Sequence, residues 1–525
     1  MNPPAPATDL PPFRTLAELV HEHAMRDPRH PALRDDGGEF DYGALDALMD
    51  RIAAALQRDG VKKGDAVAIC AHASARHAAI FLGALRAGAA VAPIAPSVTR
   101  EQFAAMLGDA QAHRCFVDAA AVELLPPHGS GPALVSLDGV APGTAFEAWL
   151  APAGAQPQLV DVQPGDPFNI IYSSGTTGTP KGIVQPHGMR WAYVARGAAY
   201  GYGPGTTTIL ATPLYSNTTL VVFFPTLGYG GCVQLMPKFD ARRYLELAER
   251  HRATHTMLVP VQYQRLMALS DFDRFDLSAF QAKFCTSAPF GAALKADVLK
   301  RWPGGLIEFY GMTEGGGTCI LEAHLHPDKL HTVGRPAAGS DIRLIDEALR
   351  ELSPQAVAAG EPGEVVGHSP AMMRGYHGQP EKTREAEWFD AAGKRFIRTG
   401  DVGRFDADGF LILFDRRKDM IISGGFNIFP SDLEAELRRH PAVEDVAVVG
   451  VPSAQWGETP VAYVVRRAGA GEDEAALRDW LNARVGKTQR LSALHLIDEL
   501  PRSAIGKVLK RELRDRHAAG APAKR

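Results

Sequence analysis

Short apolar runs alternating with helical spacing dominate the chain up to about residue 300. Ala66-Val67-Ala68-Ile69-Cys70 has the pattern of a buried strand, followed by a helical pattern over 78–87 and then Val91-Ala92-Pro93-Ile94. The alternation returns through residues 208–300, where Thr256-Met257-Leu258-Val259-Pro260 reads as another strand. Such alternation implies parallel sheets with helices on their faces. Residues 16–25 and 42–56 also carry helical spacing, the second with Asp41 in the N-cap position.

The character changes after about residue 360. Gly363-Glu364-Val365-Val366-Gly367 and residues 409–414 read as strands of a smaller β-rich unit. Beyond the charged run Asp415-Arg416-Arg417-Lys418-Asp419 comes an α+β pattern: a helix over 431–439, strands over 443–451 and 461–465, and a helix over 474–485. In the first of these helices Ser431 and Glu434 form the signature of a capping box. A chain of 525 residues exceeds one ordinary core. The reading is an N-terminal domain over 1–416 and a C-terminal domain over 417–525, joined near 416–419.

Composition excludes several classes. A formal charge of −4 is not that of a general nucleic-acid binder. The five cysteines are scattered without a C-x-x-C pair, which suits a reducing cytoplasm better than a disulfide framework. The N-terminus shows no signal-peptide pattern. The most apolar run, 220–229, holds Pro225 and Gly228 and is too short to span a bilayer. A cytoplasmic protein is expected.

The most informative dozen residues are Tyr172-Ser173-Ser174-Gly175-Thr176-Thr177-Gly178-Thr179-Pro180-Lys181-Gly182-Ile183. An apolar run ends in glycines and hydroxyls, then Pro-Lys-Gly. Glycines let backbone N–H groups turn toward an anion, hydroxyls add donors, and Lys181 supplies a cation. This suits a polyphosphate, yet it is not a Walker A loop, because Pro180 and Gly182 occupy positions where that motif needs glycine and Ser/Thr. Four further motifs suit the same task. In Tyr310-Gly311-Met312-Thr313-Glu314 a ring can stack on a base, Thr313 can bind a phosphate and Glu314 can hold Mg²⁺. Asp401, in Arg398-Thr399-Gly400-Asp401, can accept hydrogen bonds from ribose hydroxyls. Arg416 and Lys418 precede the glycine pair Gly424-Gly425, and Lys507 closes Pro501-Arg502-Ser503-Ala504-Ile505-Gly506-Lys507.

Together these motifs resemble the adenylate-forming superfamily (AMP-dependent synthetases and ligases), in its acyl- and aryl-CoA synthetase branch. The resemblance runs from about residue 16 to 513. It implies an α/β fold: a large N-terminal domain of parallel sheets with helices plus a small distorted β-barrel, followed by a small mobile α+β C-terminal domain. It further implies that Ser173, Ser174, Gly175, Thr176, Thr177, Gly178 and Lys181 hold the pyrophosphate part of ATP. Ser287, Ala288 and Pro289 would lie along the adenine with Tyr310 stacked on it. Thr313 would contact the α-phosphate, Glu314 the Mg²⁺, Asp401 the ribose, and Arg416 the nucleotide again. Lys418 would be the hinge, Lys507 the catalytic lysine of adenylation, and Gly424 and Gly425 would border the coenzyme A tunnel.

The implied activity is ATP-dependent formation of an acyl-AMP, release of pyrophosphate, and transfer of the acyl group to coenzyme A. Ser216, in Pro213-Leu214-Tyr215-Ser216-Asn217, departs from the resemblance, since many relatives carry histidine there. Tyr215, Ser216, Phe284, Cys285, Met312 and Gly315 are expected at the acyl pocket. With no evident Arg or Lys to pair a second carboxylate, a hydrophobic monocarboxylic acid is favoured, aliphatic, alicyclic or aromatic. Transfer to a carrier protein or an amine is the rival within the fold. A non-catalytic nucleotide-binding relative would have lost Lys507, Glu314 or Asp401. The expected partners are the acid, ATP and coenzyme A, with no nucleic acid, no membrane span, and a monomer or homodimer. His324, His326 and His331 read as surface histidines.

Overall fold

A computed structural model describes residues 10–125, 131–173, 180–416, 419–423, 426–503 and 507–520. The chain divides into two units: residues 1–342 with 366–397, and residues 343–365 with 398–525.

In the first unit the strand–helix alternation becomes two large sheets. The apolar run Ala66–Cys70 lies inside an eight-stranded sheet. Its order is Gly375–Tyr376, Lys181–Pro186, Pro167–Ser173, Ala90–Pro93, Ala66–Cys70, Arg114–Val117, Ala133–Ser136 and Thr144–Ala145. From Pro167–Ser173 onward neighbours run parallel, whereas Lys181–Pro186 returns antiparallel on Pro167–Ser173, with Ser173 opposite Lys181. The second sheet has nine strands. Its parallel middle is Gly305–Tyr310, Ala282–Cys285, His255–Leu258, Thr207–Leu210, Cys232–Leu235 and Pro31–Asp35, with antiparallel strands at both ends.

One buried cluster joins both sheets through four helices. Leu16 and Val20 come from Leu16–Arg26, Leu45, Met49 and Ile52 from Tyr42–Arg58, and Phe81 from Ala75–Arg86. Phe223 and Phe224 come from Asn217–Gly228, and Ile69, Val91, Val233 and Met257 from the strands. The helix starts follow the sequence. Asp41 accepts from the Ala44 N–H at 2.7 Å, and Thr15 and Glu18 make a reciprocal capping box. The apolar run around Pro225 is the buried helix Asn217–Gly228 with the proline inside it. Among the described residues no helix is long and apolar enough to cross a membrane.

In the second unit the strand Gly457–Arg466 pairs antiparallel with Val443–Ser453 and with Ile421–Ser423, and parallel with Ala493–Leu496. Alternation splits the residues by face. Val446, Val448, Ala462 and Val464 pack under helices Pro430–Leu437 and Glu474–Asn482, while Ala447, Val449, Val461 and Tyr463 pack with Leu513 of helix Lys510–Ala518.

Two expectations are corrected. The strands Asp341–Ile345, Gly363–His368, Glu387–Phe389, Arg395–Phe405 and Leu411–Arg416 form an open sheet, and no closed barrel occurs among the described residues, because the end strands Asp341–Ile345 and Glu387–Phe389 are not paired with each other. The expected capping box at Ser431 is also absent. The helix begins at Pro430 with Phe429 as N-cap and no side-chain cap, since proline fixes the first helical φ one residue earlier. Glu434 instead accepts from the Val448 N–H at 2.8 Å and pairs with Lys510 at 2.9 Å.

Candidate functional site

The strand Pro167–Ser173 delivers the glycine-rich segment at its C-terminal end, and Lys181–Pro186 carries the chain back beside it. Ser173 is placed as the last residue of its strand. Ser174, Gly175, Thr176, Thr177 and Gly178 lie outside the described residues. Gly182 is tightly enclosed: an added Cβ would come within 2.8 Å of Asp109 and 3.1 Å of the Tyr172 ring. The Tyr172 hydroxyl donates to that Asp109 carboxylate at 2.7 Å. Gly182 is therefore explained by packing.

The other side of the site is the segment 310–317, which leaves the last parallel strand of the nine-stranded sheet. Tyr310 closes that strand, half-buried. Gly315 has φ +73°, and a Cβ there would lie 2.0 Å from the Ala371 carbonyl oxygen, so only glycine fits. This clearance turns the backbone so that the Glu314 carbonyl accepts from the Met373 N–H at 2.8 Å.

Tyr376, which no sequence motif singled out, connects the two segments. Its hydroxyl donates to Glu314 Oε1 at 2.9 Å, and the Lys181 ammonium lies 5.1 Å from its ring centroid. Burial, then the Glu314 charge, push the Tyr376 phenol well above its ordinary pKa, so it remains a donor. A carboxylate and a cation thus share one half-buried tyrosine. In sequence Tyr376 is a lone aromatic in a two-residue strand, with nothing nearby to mark it.

Behind this face lies a buried polar group that sequence reasoning also missed. Asn169, Gln185 and Arg190 are 0%, 0% and 2% exposed. Gln185 Nε2 donates to the Thr313 carbonyl oxygen at 2.6 Å. Patterning gave no signal, because these polar residues occupy positions in strands and a helix where apolar side chains usually stand.

The expected acyl-pocket residues come from three separate segments, around the start of helix Asn217–Gly228, from strand Ala282–Cys285 and from the segment 310–317. Ser216 is buried and accepts from the Thr218 N–H at 3.3 Å as N-cap of Asn217–Gly228. Tyr215 is half-buried, and burial raises its phenol pKa. Phe284 and Cys285 are adjacent on a strand and point to opposite faces. Phe284 stacks on Phe309 at 5.4 Å, with Tyr200 edge-on at 5.2 Å. Cys285 is fully buried, its thiol pKa raised by burial and then by Glu308. Met312 packs with Ile183 and Met373 beside Tyr376. Ser287 and Ala288 are half-buried and Pro289 exposed, with Ser287 at φ +82° and its hydroxyl bonded to that of Thr218.

In the second unit Asp401 stands opposite Arg416 across an antiparallel strand pair. Nearby, Arg398 makes a two-pronged pair with the buried Glu364, at 3.0 and 2.8 Å. Lys507 is exposed; its backbone N–H donates to Ser503 Oγ at 3.2 Å, and its carbonyl accepts from the Ser503 N–H at 2.8 Å. Lys418, Gly424 and Gly425 lie outside the described residues. No cluster of three His, Cys, Asp or Glu side chains suited to a metal occurs among the described residues. Glu314 alone fits a Mg²⁺ ion whose other ligands are phosphate oxygens and water.

Residues 20–377 match the family model of the AMP-binding enzymes, and residues 432–507 match that of the AMP-binding enzyme C-terminal domain. A feruloyl-CoA synthase from Amycolatopsis sp. is 33% identical over 503 residues, covering 94% of this chain and 97% of its own. The fatty acid–acyl-carrier-protein ligase ScoC of Streptomyces coeruleorubidus is 30% identical, covering 96% and 97%. The structure of the amide bond synthetase McbA from Marinactinospora thermotolerans superposes with a TM-score of 0.83 at 28% identity, covering 95% and 99%. Matching both models over most of its length, the chain belongs to the family of AMP-binding enzymes.

Proposed function

We propose that the protein is an acid–thiol ligase: it activates a hydrophobic monocarboxylic acid as an acyl-AMP, releases pyrophosphate and transfers the acyl group to coenzyme A. The observation that carries this reading is Tyr376, which joins Glu314 to Lys181 where the glycine-rich segment returns to its sheet. The whole-length likeness to a feruloyl-CoA synthase supports coenzyme A as acceptor and makes aromatic acids the first to try.

The residues divide the work as follows. A carboxylate must attack an α-phosphorus already ringed by negative oxygens, so cations and donors must offset the developing charge. Lys181 and the hydroxyls and N–H groups of residues 173–178 hold the β- and γ-phosphates. Thr313 meets the α-phosphate, and Tyr310, Ser287, Ala288 and Pro289 border the base. Glu314 would hold Mg²⁺, which when bound would screen the phosphate oxygens as a Lewis acid. Tyr376 restricts the Glu314 carboxylate to one orientation. Asp401 takes the ribose hydroxyls and Arg416 a further nucleotide contact. Lys507 supports the attacking carboxylate in the first step only. The thiol of the second step enters beside Gly424 and Gly425 after the C-terminal part, residues 417–525, turns about Lys418.

The test is the half-reaction split of Lys507→Ala. Acid-dependent ATP–pyrophosphate exchange is expected to fall on the order of a hundredfold, as loss of one charge-stabilising donor commonly does. Conversion of a supplied acyl-adenylate with coenzyme A is expected to persist. Equal loss of both would contradict the assignment. A second reading, transfer to a carrier protein or an amine, is favoured by the similar standing of the acyl-carrier-protein ligase and amide bond synthetase relatives.

A further inference from the structure

We propose that Arg190, Asn169 and Gln185 are positioning residues that fix the Thr313–Glu314 backbone for adenylation, a role that rests on the ligase reading above. Arg190 lies in helix His187–Arg196 and is buried, its guanidinium 5.6 to 5.9 Å from the ring centroids of Phe224, Tyr193 and Phe168. Burial lowers its pKa to about 10, so it stays charged at neutral pH. A guanidinium has donors only, and its neighbours must therefore present oxygen.

That requirement sets two amide orientations. Arg190 Nε donates to Asn169 Oδ1 at 3.0 Å, and Arg190 Nη2 donates to Gln185 Oε1. With its oxygen so engaged, Asn169 directs Nδ2 to Gln185 Oε1 at 2.9 Å. Gln185 Oε1 thus takes both donors, and its Nε2 must face away from the cation. There it donates to the Thr313 carbonyl oxygen at 2.6 Å and to Asn217 Oδ1 at 3.3 Å. Thr313 adjoins Glu314, and Asn217 follows Ser216 in the segment expected to border the acid. One buried amide therefore ties the nucleotide side to the acid side. On the far side of the same turn the Glu314 carbonyl is held by the Met373 N–H. A neutral side chain at position 190 would leave the Gln185 amide free to flip, placing oxygen against the Thr313 carbonyl.

The experiment uses Gln185→Met, Gln185→Glu and Arg190→Met in the full chain. Each is assayed for ATP–pyrophosphate exchange with the best acid and, separately, for conversion of that acid's adenylate with coenzyme A. Gln185→Glu has nearly the same volume and can accept from Arg190, yet it cannot donate to Thr313, so it decides the matter if the methionine variants do not fold. The expected result is a fall in exchange of roughly tenfold, or about 1.4 kcal/mol, with the second half-reaction of the folded Gln185→Glu chain close to wild type. Half-reactions that fall together, or an unaltered exchange rate in Gln185→Glu, would overturn the positioning role. An active wild type keeps that failure separate from failure of the ligase reading, which would show as no acid-dependent exchange in the wild type itself.

Discussion

Tyr376 donates to Glu314 while its ring lies beside Lys181, so one side chain serves two charges of opposite sign. The two services can be separated by substitution. Tyr376→Phe keeps the ring and removes the hydroxyl. A hydrogen bond to a charged group contributes about 2 kcal/mol. Exchange is expected to fall roughly thirtyfold on that basis, with a higher Mg²⁺ concentration needed for half-maximal rate. A Phe variant with wild-type exchange at low Mg²⁺ would show that the hydroxyl does not orient Glu314. Glu314, Thr313 and Lys181 were legible in the sequence because each sits in a spaced motif. Tyr376 was not, because its meaning comes from a strand pairing, Tyr376 with Ile183, across nearly two hundred residues. Gln185 and Arg190 were hidden for a related reason: buried polar residues violate the pattern by which strands and helices are recognised. Ser216 shows a different case: a residue read for its departure from a family motif is also the cap of its helix, a local role the motif comparison did not register.

At the scale of elements, helix starts were readable where a capping side chain stands alone before the apolar spacing and misread where proline competes. Asp41 makes the reading measurable. Asp41→Ala removes an N-cap bond to the Ala44 N–H and is expected to lower stability by about 1 kcal/mol. Thermal or denaturant unfolding checks this; an unchanged stability would mean that Asp41 does not hold the start of its helix. The alternation of apolar runs gave the parallel sheets because crossover helices and buried strands leave distinct spacings. It could not show whether the short strands between residues 341 and 416 close on themselves. Closure depends on pairing between end strands, and periodicity within a strand carries no information on its partner.

For the whole molecule, the two matched families, residues 20–377 and 432–507, account for most of the chain. The structure organises it as two units with separate cores. Lys507 falls in a separate unit from Thr313 and Glu314, an arrangement that suits the proposed reaction, in which the lysine serves the first step and a thiol the second. The acid and the acceptor are set by side chains that converge only in three dimensions, which sequence alone does not show. The relatives named above are a feruloyl-CoA synthase, a fatty acid–acyl-carrier-protein ligase and an amide bond synthetase, so likeness alone does not choose the acceptor. The most direct measurement is therefore pyrophosphate release with ATP and Mg²⁺ across aromatic, alicyclic and aliphatic acids, each with and without coenzyme A, with thioester followed by mass spectrometry. The expected result is acid-dependent release that coenzyme A converts into sustained turnover and stoichiometric thioester. Release that coenzyme A leaves unchanged, with no thioester formed, would contradict it.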